Sequence, residues 1–143
     1  CEYCRLTYQE LKKTFLTTGT PIRFVWRVFP IDLTNAQTLL LASAGYCAQQ
    51  QNKFWDVYDR LFTIVSPTNE SISKLAKDAN LDSGVFDRCL TNGATVGALQ
   101  AEVDIAAASR ITGAPTIFVG KKVFNGFVSA DELRAAIDEQ YKK

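Results

Sequence analysis

The chain has 143 residues, 47% of them hydrophobic, and a formal charge of +1. That length suits one domain carrying at most an insert, and a chain of this size buries roughly 70% of the surface its unfolded form exposes, so a core can form without disulfide staples. A near-neutral charge with no Lys/Arg run argues against a nucleic-acid partner, and no apolar run reaches the ~20 residues of a membrane-spanning helix, so no stable membrane insertion is expected.

The segment 4–15 is rich in helix formers, and Tyr8, Leu11 and Phe15 form one apolar stripe. Thr17 to Pro21 break it. Residues 22–29 alternate, with Ile22, Phe24, Trp26 and Val28 on one face and Arg23 and Arg27 on the other. That pattern predicts a strand closed by Pro30. From Thr34 to about Ser109 the reading is helical. Helices are expected over 35–51, 52–64 (with Phe54, Trp55, Tyr58, Leu61 and Phe62 on a wide apolar face), 72–80 and 83–91, and then to near Gly113. Ser66 to Asn69 reads as a loop, Asp82 as an N-cap and Gly93 as a C′ residue. Thr116 to Val119 reads as a short strand. Gly120-Lys121-Lys122 turns it into Val123-Phe124, and Ser129-Ala130-Asp131-Glu132 has the form of a capping box opening the last helix. A helical block of about 75 residues therefore interrupts an α/β unit. The divisions expected are 1–33, an inserted helical domain 34–109, and 110–143.

Of the four cysteines, Cys1 and Cys4 form a Cys-x-x-Cys at the start of the first predicted helix. The thiolate is the form that attacks a disulfide, and unpaired N–H groups at a helix N-terminus favour it. The spacing puts two sulfurs one turn apart, with Cys1 the attacking group and Cys4 the resolving one. A zinc half-site and a purely structural bridge are the alternatives. Zinc normally needs a second paired cluster, whereas this chain has no histidine and its other cysteines are 42 residues apart. No metal is expected. No cofactor is expected beyond the Cys1–Cys4 disulfide itself.

Ala114-Pro115 before an apolar strand is the second signal. Alone it would read as a strand entry; behind an upstream Cys-x-x-Cys it reads as a cis-proline beside the cysteines, with the backbone of Ala114 and Pro115 offered to a substrate peptide as a strand edge.

Several segments in order resemble the DsbA family. They are Cys1-Glu2-Tyr3-Cys4, Phe24-Val25-Trp26-Arg27-Val28-Phe29-Pro30, Cys47-Ala48-Gln49-Gln50-Gln51-Asn52-Lys53-Phe54-Trp55, Phe86-Asp87-Arg88-Cys89-Leu90, and Gly113-Ala114-Pro115-Thr116-Ile117-Phe118-Val119-Gly120-Lys121. The resemblance implies a thioredoxin fold with an inserted helical domain. It also implies dithiol–disulfide exchange with unfolded or partly folded exported proteins, in a periplasm or on a cell surface, and a membrane-bound redox partner that reoxidises the pair. Disulfide formation is the direction favoured; reduction or isomerisation by the same fold, or a non-catalytic binding module with structural cysteines, are the alternatives.

Two departures from that pattern generate expectations. Such proteins carry a strand immediately before the first redox cysteine, whereas this chain opens on Cys1 and contains no Met. A trimmed piece of a longer protein is expected, with a gap between the segments 22–29 and 116–119. The dipeptide between the cysteines is Glu2-Tyr3, where strong oxidants of the family have a proline and then a histidine. Glu2 disfavours a neighbouring thiolate, Tyr3 offers one hydroxyl, and Arg5 offsets part of the charge. A weaker oxidant than the family's strongest is expected.

Cys47 and Cys89 fall in predicted helices among apolar neighbours. They read either as buried free thiols or as a disulfide clipping two helices in an oxidising compartment, and the even cysteine count favours the bridge. Trp26, Phe54, Trp55 and Phe62 are expected in the core, and Gly126 and Phe127 in the turn before the last helix.

Overall fold

The computed structural model describes residues 1–142. Its elements are α1 (Glu2–Thr17), α2 (Ala36–Gln50), α3 (Phe54–Thr63), α4 (Asn69–Asp78), α5 (Ser83–Thr91), α6 (Gly93–Ala108), β1 (Thr116–Val119), β2 (Lys122–Asn125) and α7 (Ala130–Tyr141). They divide into two compact units. One is Cys1–Trp26 with the chain from Ile111 on, and the other is Arg27–Arg110.

In the first unit, β1 and β2 form an antiparallel hairpin in which Ile117 faces Phe124 and Phe118 faces Val123. The turn needs Gly120, whose φ is +59°, a region that side-chain-bearing residues rarely enter. Alternation sends Ile117, Val119 and Phe124 to one side. There they pack with Phe24 around Leu11 of α1 and with Val128 and Leu133 at the start of α7. Helices α1 and α7 pack on each other. The start of α7 is the capping box foreseen from the sequence: the Glu132 N–H donates to Ser129 Oγ, and Glu132 Oε2 accepts from the Ser129 N–H at 3.0 Å. A carboxylate from α1 adds to it, because Glu10 Oε2 accepts from the Ala130 N–H at 2.9 Å.

The second unit is helical. Its central helix, α2, carries a run of small buried residues, Ala42, Ser43, Ala44, Gly45, Cys47 and Ala48. Helices α3, α4, α5 and α6 all pack against it. The approach of α3 is close: a Cβ at Gly45 would stand 3.4 Å from Leu61 and 3.5 Å from Phe54. Around this helix lie Val57, Ile72, Leu75 and Phe86. Asn52 and Asn80, both with positive φ, end α2 and α4 in left-handed turns.

Four expectations need correction. Residues 22–29 are not a strand: among the described residues the sheet is β1–β2, and this segment has no ladder in it. Its alternation persists in burial, with Phe24, Trp26 and Val28 more covered than Arg23, Val25 and Arg27. Trp55 is 56% exposed, because the buried arc of α3 runs through Val57 and Tyr58. Helix α4 starts three residues early, at Asn69, since Thr68 caps it through the Ser71 N–H. Gly93 does not close α5 in a left-handed turn; it opens α6, whose N-cap is Asn92.

The tie from Glu10 to α7 has a pH signature. Its carboxyl is held below the usual 4.5, first by the hydrogen bond from Lys13 and then by the Ala130 N–H. A carboxylate whose folded pKa is depressed stabilises the fold above the unfolded pKa, and that contribution is lost as pH falls through the folded one. Glu10→Gln should therefore melt at a lower temperature than wild type at pH 7. The gap should close as pH falls below 4.5. Circular-dichroism melts across pH 2.5–7 (about that range) check this, and a gap unchanged at the acid end would exclude the carboxylate as its source.

Candidate active site

Helix α1 begins at a sulfur. Cys1 is its N-cap, and the side chain does what Ser or Asp usually does: the Cys4 backbone N–H donates to Cys1 Sγ at 3.1 Å. The Arg5 N–H donates to the Cys1 carbonyl at 3.3 Å, closing the first turn. Cys1 and Cys4 are joined in a disulfide, with Cα atoms 5.2 Å apart. Cys1 is exposed and Cys4 half-buried, so solvent reaches the bridge at Cys1. Glu2 and Tyr3, between them, are both exposed, Tyr3 to 62%. Arg5 is half-buried just after.

The other side of the site comes from more than a hundred residues away. The Ala114–Pro115 peptide bond is cis, and the Ala114 carbonyl oxygen lies 3.5 Å from Cys1 Sγ. In the disulfide this is a contact between two acceptors; once the bridge is reduced, a Cys1 thiol there can donate to that oxygen. The Thr116 hydroxyl donates to the Gly113 carbonyl at 2.8 Å. The Gly126 N–H, at a φ of +86°, donates to the Pro115 carbonyl at 2.8 Å. The sequence placed Gly126 in a turn and did not foresee that this turn braces the proline loop. A hydrogen bond between backbone groups leaves no mark on residue type.

Cys47 and Cys89, the remaining cysteines, lie in the helical unit. They join α2 to α5 with Cα atoms 5.8 Å apart. Cys47 is wholly buried in that unit's core, and the Thr95 hydroxyl donates to the Cys89 carbonyl at 2.7 Å. All four cysteines are thus paired within their own units.

The family profile Thioredoxin_4, described as thioredoxin, matches residues 1–139. The chain belongs to that family. The likeness extends to solved structures. A thioredoxin-like oxidoreductase from Silicibacter pomeroyi DSS-3 superposes with a TM-score of 0.82 at 23% identity, covering 100% of this chain and 82% of the other. The thiol-disulfide exchange protein alpha-DsbA2 from Wolbachia pipientis gives 0.80 at 19% identity, covering 98% and 76%. The fold is thus the thioredoxin fold with an inserted helical domain, as the family resemblance implied. Among curated proteins, the Na(+)/H(+) antiporter NhaA 3 of Salinispora tropica is 27% identical over 138 residues, which are 96% of this chain and 21% of that protein. The chain therefore spans about a fifth of the length of that relative. Among the described residues no helix is long and apolar enough to cross a membrane.

The two bridges of this family member differ in exposure, and that difference is measurable. Dithiothreitol on the native protein should open Cys1–Cys4 and leave Cys47–Cys89 closed, as read by alkylation and peptide mass mapping. Replacing Cys47 and Cys89 together by Ala removes closure of a 42-residue loop. On the chain-entropy account this costs about 4 kcal/mol, measurable by urea unfolding.

Proposed function

We propose that this chain is a protein thiol–disulfide oxidoreductase working through Cys1 and Cys4. The observation that carries the reading is the cap: Cys1 Sγ already receives the Cys4 N–H at the start of a sixteen-residue helix. Charge that develops on that sulfur when it is released from a mixed disulfide as a thiolate therefore falls where an N–H and the positive end of the helix dipole favour it. A thiolate of the substrate attacks the exposed Cys1 Sγ. The Cys1–Cys4 bond breaks, and its electron pair leaves on Cys4 Sγ. A second substrate thiolate then attacks its own half of the mixed disulfide, releasing Cys1 as thiolate. The substrate has lost two electrons and the enzyme pair has gained them.

Ala114 and Pro115 hold the substrate chain beside Cys1. The support is the nearness of the Ala114 carbonyl to the sulfur and the general ability of exposed backbone to pair with an extended peptide. Substrates are unfolded or partly folded exported proteins, whose cysteines are accessible. The compartment is extracytoplasmic; a second disulfide, in the helical unit, suits an oxidising environment. Running toward disulfide formation, the pair needs an electron acceptor to reoxidise it, and a membrane-bound redox protein is the partner assigned that task. The Cys1–Cys4 pair itself carries the two electrons, as the dithiol of its reduced form.

Insulin reduction and reoxidation of reduced ribonuclease test this reading. Cys1→Ser should abolish both, and full activity in that variant would remove the catalytic assignment. Direction is tested by potential. With an anion at Glu2 beside the sulfur, the pair should lie well below the ~−120 mV of a strong oxidant. Glu2→Gln should raise it by favouring the thiolate of the reduced form, and a glutathione redox titration reads both.

A further inference from the structure

The threonines of α1 behave in two ways. Thr14 and Thr17 each turn the hydroxyl back to the carbonyl four residues earlier, Thr14 to Glu10 at 2.9 Å and Thr17 to Lys13 at 2.7 Å. This is the ordinary way for a helical threonine to satisfy its hydroxyl. Thr7 does not do so. Its side chain is 1% exposed, and its Oγ1 is buried with no hydrogen-bond partner among the described residues. Burying a hydroxyl unpaired is unfavourable when a local carbonyl, that of Tyr3, stands at the position its two counterparts use.

Thr7 follows Cys4 by three residues, so the two share a face, about 5–6 Å apart between Cβ atoms. Helical side chains lean toward the N-terminus, which lays Thr7 over the turn that holds Cys4. In the disulfide, Cys4 Sγ is tied to Cys1, and a bridged sulfur asks little of a donor. Opening the bridge changes that demand, because the electron pair of the broken S–S bond arrives on Cys4 Sγ. A half-buried thiolate, or the thiol it becomes on taking a proton from water, needs a partner.

We infer that Thr7 is a positioning residue for the resolving cysteine: its hydroxyl, unpaired in the oxidised protein, is the hydrogen-bond partner of Cys4 Sγ in the reduced one. The inference rests on the redox reading of Cys1 and Cys4. The hydroxyl donates to the thiolate and can accept from the thiol, so it serves the reduced form in either state. A residue that costs the oxidised form a missing bond and supplies the reduced form with one shifts the equilibrium toward reduction, which makes the pair more oxidising. It also makes Cys4 a better leaving group when a substrate thiolate attacks Cys1, since a thiol of lower pKa leaves faster.

The test compares wild type, Thr7→Val, Thr7→Ala and Thr7→Ser in glutathione redox buffers. Samples are acid-quenched and alkylated, and the state of Cys1 and Cys4 is read by peptide mass. Val keeps the shape and loses the hydroxyl; Ser keeps the hydroxyl. The ratio of oxidised to reduced pair at fixed glutathione should rise about tenfold in Thr7→Val, equivalent to about 30 mV more reducing. Thr7→Ala should move the same way, and Thr7→Ser should stay near wild type. The melting temperature of oxidised Thr7→Val should not fall, because no hydrogen bond of that state is lost. A ratio in Thr7→Val or Thr7→Ala equal to wild type, or a shift in Thr7→Ser as large as in Thr7→Val, overturns the inference while the redox reading stands. A wild-type pair that does not cycle overturns both.

Discussion

A helix must satisfy the N–H groups of its first turn, and here a sulfur atom does part of that work. The bond from the Cys4 N–H to Cys1 Sγ joins two requirements that are usually met by different residues, starting α1 and placing a donor on the sulfur proposed to react. Everything else at the site is arranged by how α1 is held. Leu11 fixes it in the core with Val128 and Leu133, Glu10 reaches the N-terminus of α7, and the hairpin on the same core carries Pro115 at its entry. The Ala114 carbonyl meets Cys1 Sγ because these contacts bring the two ends of the first unit together.

The helical unit is built differently. It has no sheet, and its packing depends on small residues along α2 that let four other helices approach. The Cys47–Cys89 bridge closes within it, between α2 and α5, with Cys47 in the middle of that unit's core. Two disulfides in one chain thus have opposite surroundings. One caps a helix at the surface; the other joins a wholly buried Cys47 to a partly buried Cys89.

The departures from the expected elements have different physical origins. The segment 22–29 has strand composition and strand alternation, and the alternation survives in its burial. A strand, however, is defined by its ladder, and a ladder depends on a partner elsewhere in the chain. Trp55 lies at a position that fits an apolar stripe on α3, but Val57 and Tyr58 show that the covered arc is rotated from the one the aromatics suggest. Thr68 captured the start of α4 through a side-chain cap that the loop-like composition of Ser66 to Asn69 obscured.

Where one turn of chain suffices, the amino-acid sequence alone decided the outcome: the Cys-x-x-Cys at a helix start, the capping box at Ser129, the cap at Asp82, and a hairpin turning at Gly120. These depend on backbone geometry over three or four residues, which residue type controls directly. Tertiary structure alone decided that Gly126 braces Pro115, that Glu10 reaches Ala130, and that Thr7 is buried with its hydroxyl unpaired. Those contacts arise from the packing of apolar faces, and packing is a sum over distant residues that no local stretch of sequence encodes.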